Sequence, residues 1–114
     1  MKVYLSAPYT ASTEEAKLAN TNKAIDAALD LMALGYTVFI PHLSHFTDTL
    51  AKNKKIDLPY EMWMQQDLEW IPVCDCLVYF GMSHGVQREI EFAKNRNIPV
   101  YQYKNGKPTL TREY

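Results

Sequence analysis

The chain has 114 residues, enough for one domain, and its 47 % hydrophobic content supplies one full core. A formal net charge of −1 and a pI near 6.3 exclude a general nucleic-acid or anionic-membrane surface but leave room for a small phosphorylated ligand. No apolar run has the length of a membrane span or a signal peptide, so a cytoplasmic protein is expected.

Lys2–Ser6 is a short β-prone run closed by Ala7-Pro8, and Pro8 cannot donate to a ladder. The loop from Ser6 to Ala11 carries small residues and Tyr9, at the carboxyl end of a first strand, where ligands bind in open parallel sheets. Ser12-Thr-Glu-Glu15 fits a capping box and predicts a helix to about Leu34. Leu18, Ile25, Ala28, Leu31 and Met32 recur there at helical spacing, and Gly35 is the expected stop. Tyr36–Ile40 reads as a second strand ending at Pro41-His42.

Residues 43–58 are the least regular, with a helical turn over 43–50 and a polar, basic loop over 51–58. Such a loop is either a substrate cover or a solvated excursion. Pro59 opens a helix over 60–70, where Trp63, Asp67 and Trp70 recur at i, i+4 and i+7, so Asp67 sits on an aromatic face. Cys74–Phe80 reads as a third strand, apolar as a central parallel strand should be. It would hold Cys74 and Cys76 on one side and Asp75 on the other. Two cysteines do not make a structural zinc site, and they read as reduced thiols.

Gly81-Met82-Ser83 turns into a short amphipathic helix. At 100° per residue, Val86, Ile90, Ala93 and Asn97 fall within about 40° of one core-facing axis. Glu89 lies about 60° off that axis, on its flank, and Glu91 about 140° away, toward solvent. A partly desolvated carboxylate such as Glu89 is paired, complements the helix dipole, or is kept for chemistry. Ile98–Tyr101 is a fourth strand. Gln102–Tyr114 is a polar tail with a turn at Asn105-Gly106, suited to add an edge strand or reach a neighbouring subunit. The order β-α-β-(loop)-α-β-α-β predicts one α/β domain over 1–114, a doubly wound parallel sheet of four to five strands. Tyr4, Asp67, Glu89 and the loop after the first strand then converge near the carboxyl ends of strands one and three.

Ser83-x-Gly-Val-x-x-Glu-x-x-x-Ala93, preceded by Asp67-Leu-Glu-Trp70 and opened by Val3-Tyr4-Leu5-Ser6-Ala7, resembles the nucleoside 2-deoxyribosyltransferase-like superfamily. Within it, the 2′-deoxynucleoside 5′-phosphate N-hydrolases are the nearest match, and the resemblance runs from residue 2 to about 101. It implies a flavodoxin-like fold, a homodimer or larger homo-oligomer, a small nucleoside or nucleotide substrate, and no metal or cofactor. Carried onto this chain, it implies Glu89 as nucleophile, Asp67 as the carboxylate that handles protons at the leaving base, and Tyr4 as their support. Ser83 and Gly85 match the turn that holds the sugar or its 5′-phosphate. Ser6, Ala7, Pro8 and Tyr9 of the first loop, with His42 after strand two, complete the expected substrate-binding set.

The chemistry needs these types, because breaking a C1′–N bond builds positive charge that one carboxylate stabilises or captures while a second group protonates the base. The sequence departs from the hydrolases in two respects: Pro8-Tyr9-Thr10-Ala11 has no cation where those enzymes carry an Arg, and the segment between strand three and Ser83 is shorter than theirs, which together leave 5′-phosphate recognition open. Base exchange and hydrolysis both remain open, as does a non-catalytic nucleotide-binding or signalling module on the same fold. A nicotinamide-dinucleotide glycohydrolase breaks the same bond type and is a further reading.

Overall fold

Alternation along two short strands sets the architecture. In β1 (Lys2–Ser6), Val3 and Leu5 face one side of the sheet while Tyr4 and Ser6 face the other. In β3 (Cys76–Tyr79), Cys76 and Val78 join the first side, and Leu77 and Tyr79 the second. The computed structural model describes residues 1–104 and 107–114. The expected turn at Asn105-Gly106 lies outside the described residues.

The sheet has five strands in the order β2-β1-β3-β4-β5, with β2 at Thr37–Phe39, β4 at Val100–Lys104 and β5 at Lys107–Arg112. The first four are parallel, and β5 pairs antiparallel with β4. The fold is therefore the flavodoxin-like doubly wound type with an antiparallel edge strand added by the tail. Chain direction across the sheet reverses between β1 and β3, and the crevice at their carboxyl ends is where such folds bind ligands. Residues 102–104, expected in the tail, belong to β4, and the second strand is shorter than expected because it lies at the sheet edge.

Helix α1 (Glu14–Ala33) covers one face, and α4 (His84–Asn95) packs on the other, where the chain of α3 (Tyr60–Trp70) continues into its core through Ile71. Fully burying Leu5, Leu31 and Leu77 contributes about 1.5–3 kcal/mol each. Three expectations for the helices change. The cap of α1 is Thr13, whose Oγ1 accepts from the Ala16 N–H, rather than Ser12. Its buried face is Thr21, Ala24, Ala27, Ala28 and Leu31, while Leu18 and Met32 are exposed and Ile25 is half-buried. Small side chains let the helix backbone approach the sheet, so alanine spacing rather than leucine spacing sets its rotation. Asn97 lies beyond α4 in the left-handed region (φ 57°), ending the helix with bonds from the Asn97 and Ile98 N–H groups to Lys94 and Ala93 carbonyls.

Residues expected as a turn and loop form a 3-10 turn (Pro41–Leu43) and a full helix, α2 (Ser44–Asn53). Cys74 precedes β3 and packs toward the α4 side, whereas Cys76 packs toward α1, so the two thiols do not share a face. Both are free. Among the described residues, no helix is long and apolar enough to cross a membrane.

Candidate active site at the β1/β3 crevice

Glu89 sits one turn into α4, on the helix flank that overlies the end of β1, and it is 6 % exposed. The period of two in β1 brings two hydroxyls to it. Tyr4 Oη donates to Glu89 Oε2, and Ser6 Oγ donates to Oε1 at 2.8 Å. Burial pushes the Glu89 carboxyl above its ordinary range, and the two O–H donors oppose that by favouring the charged form. Burial and then the charge of Glu89 push the Tyr4 phenol well up, so it remains a proton donor.

Asp67 lies two helical turns from the start of α3 and is half-buried. Its carboxyl is pushed up to about 7, chiefly by burial and secondly by the negative charge of Glu89. No hydrogen bond contributes to that shift. Burial thus raises both acids, and they differ in partners: Glu89 is held by two O–H donors that favour its charged form, while Asp67 keeps its proton near neutrality.

The two carboxylates line one cavity of about 450 Å³. Ala7, Tyr9, Ser83 and Gly85 line it as expected, and so does His42. Ser83 caps α4 by accepting from the Val86 N–H at 3.1 Å, which leaves its own O–H free to donate. Gly85 is needed for room, since a Cβ there would lie 3.3 Å from Tyr60 Oη. Tyr4, Ser6 and Pro8 do not line the cavity. Tyr4 and Ser6 stand behind Glu89 and act through it, and Pro8 ties loops together. Its carbonyl accepts from His42 Nε2 at 3.2 Å, and its ring rests on Gly81 (φ 68°), where a Cβ would sit 3.0 Å from Cγ and Cδ.

His42 is pushed down by burial, and its Nδ1 is buried with no partner among the described residues. Tyr9 is edge-on to His42 and His45, with its Oη 2.7 Å from His45 Nδ1. Arg88 forms a two-pronged pair with Glu61 across α3 and α4 (2.5 and 3.2 Å) and does not line the cavity.

Sequence reasoning missed the wall supplied by α2. Asp48 accepts from Trp63 Nε1 at 3.2 Å and pairs with Lys52 at 3.1 Å, and Lys52 and Lys17 both reach Glu14 at 3.3 Å. Lys17 and Lys52 therefore bring positive charge to the cavity from α1 and α2, although the loop after β1 has none. The signal for Lys52 was present only as the basic content of a segment read as irregular, and Lys17 lies on the predicted first helix with nothing in its spacing to mark it.

No curated protein matches the chain. A domain of unknown function (DUF7768) matches residues 1–103, which takes in every element from β1 to most of β4 and all the residues of the crevice. The chain belongs to that DUF7768 family.

Proposed function

We propose that the protein cleaves the N-glycosidic bond of a nucleoside or its 5′-monophosphate. The observation that carries this reading is the placement of two unlike carboxyls in one cavity: Glu89 gripped by the Tyr4 and Ser6 hydroxyls, and Asp67 protonated up to about pH 7. The sugar C1′ approaches Glu89. Its carboxylate oxygen forms a bond to C1′ as the C1′–N bond breaks, and that electron pair goes to the base nitrogen, which takes the proton of Asp67. Asp67, now charged, accepts a proton from water or from an incoming base as either attacks C1′, and the ester electron pair returns to Glu89. The Ser83 hydroxyl and the ammonium groups of Lys17 and Lys52 suit a hydroxylated and anionic substrate. The resemblance also supports a homodimer.

The test is a base-release screen with nucleosides, their 5′-monophosphates and nicotinamide dinucleotide, with and without an acceptor base, read by chromatography. Free base without acceptor identifies a hydrolase. A new nucleoside formed only with acceptor identifies a transferase. Glu89→Gln is expected to lower the rate by at least about 10³-fold. Unchanged base release in that variant overturns the mechanism. A ligand-induced rise in Tm that survives in both Glu89→Gln and Asp67→Asn, with no turnover of any substrate, replaces it with a non-catalytic binding module.

A further inference from the structure

Asp67 faces two spaces. Besides the cavity it shares with Glu89, it lines a separate groove of about 620 Å³ that runs beside the edge strand β2. Trp63 also lies on the boundary between the two. The groove is mostly aliphatic, and its lining also holds Phe39, Trp63, Gln66 and Asp67 together with Trp70, whose ring is half-exposed. Phe39 and Trp70 stack at 4.9 Å and 22°, and the Gln66 side chain lies one position before Asp67. Both tryptophans of the chain line it.

We propose that this groove is a second binding site, for a free heteroaromatic base, and that Asp67 serves both spaces. The inference rests on the N-glycosidase reading above and extends it to the fate of the base. A planar heterocycle matches the lining on both counts. Its π-face stacks on aromatic side chains whatever its identity. Its edge presents N–H donors and ring acceptors, which an amide such as Gln66 pairs with in either sense, and which a carboxyl such as Asp67 meets as acid or as base. The groove also adjoins the residue that must exchange a proton with the base when it departs and when it returns. A base held there is the immediate product of cleavage and, by the reverse path, the acceptor for exchange.

Tryptophan emission gives a direct test on the full-length chain. In Trp63→Phe, Trp70 is the sole tryptophan, and it lines the groove but not the cavity. Free adenine, hypoxanthine and cytosine, titrated with excitation at the red edge of the indole band, are expected to quench it saturably. Gln66→Ala in the same background removes an exposed side chain and is expected to weaken binding at least about five-fold. Ser83→Ala, which removes the cap of α4 and alters the cavity without touching the groove lining, is expected to leave it unchanged. Absence of quenching, or quenching lost in Ser83→Ala but intact in Gln66→Ala, overturns the proposal. So does a chain whose light-scattering mass is that of a dimer, falls to monomer in Trp70→Lys, and shows no quenching by base, since a second copy then fills the groove. Base binding without turnover of any nucleoside would leave the groove standing and remove the enzymatic reading, whereas turnover without base binding would remove only the groove.

Discussion

At the scale of single residues, the site is a problem in proton placement. The unfolded chain releases the Asp67 proton near pH 4, and the folded chain retains it to about 7. The folded-state pKa is the raised one, so stability from this proton is fully present below about pH 4 and is lost as pH rises through about 7. Asp67→Asn removes that dependence. Allowing for solvent at the half-exposed side of the carboxyl, the variant is expected to be more stable than the native chain by about 1–2 kcal/mol at pH 8 and equal to it at pH 4, measured by urea midpoints. On the proposed N-glycosidase reading, turnover needs Glu89 charged and Asp67 protonated, so the rate is expected to fall above about pH 7, and that descending limb is absent from Asp67→Asn. Tyr4→Phe takes away one of two donors that favour the Glu89 carboxylate. The ascending limb is expected to move up by about one pH unit, with kcat down about ten-fold. The sequence named Tyr4, Asp67 and Glu89 because residue types and spacing carry chemistry directly. It could not show that Tyr4 is fully buried and stands behind Glu89 rather than lining the cavity, because depth is a property of the assembled sheet.

At the scale of elements, α3 and α4 were legible because a proline, a serine cap and strong periodicity mark their starts. Helix α2 was not. It has no side-chain cap and no glycine at its end, and Lys55 closes it in the left-handed region (φ 59°), a conformation a lysine does not advertise. Bonds from the Lys55 and Ile56 N–H groups to Lys52 and Ala51 carbonyls hold that end. Lys55→Gly is expected to stabilise the chain by about 0.5–1 kcal/mol, and Asn97→Gly by less, since asparagine already tolerates this region; thermal midpoints decide it. Gly81→Ala goes the other way. Its positive φ and its approach to the Pro8 ring predict a loss of about 2–3 kcal/mol, of which Pro8→Ala restores only the steric part. Because Gly81 and Pro8 join the loops after β3 and β1, the same substitution is expected to reduce turnover.

At the scale of the whole molecule, the doubly wound parallel sheet was readable from the alternation of strands and helices, whereas its strand order and the rotation of α1 were not. Hydrophobic size pointed to Leu18, Ile25 and Met32, but the sheet selected the alanines and left Leu18, Leu29 and Met32 exposed. Residues 18, 25 and 32 recur every seven positions, the spacing of a seam between paired helices. Sedimentation of the 13.2 kDa chain is expected to give twice that mass, and Leu29→Lys to return it to one chain; an unchanged mass in the variant assigns the contact elsewhere. The bonds from Tyr4 and Ser6 to Glu89 span 85 and 83 positions of sequence. β1 holds a central place in the sheet, yet its second neighbour β3 and the helix that carries the carboxylate it serves follow in sequence only after β2, α2 and α3. α1 can cover the Val3 and Leu5 side of β1 early, whereas the Tyr4 and Ser6 side waits for α4. The crevice is therefore built on contacts of high sequence separation, whose loop-closure cost must be met before they stabilise anything, and it depends on nearly every element between them being in place.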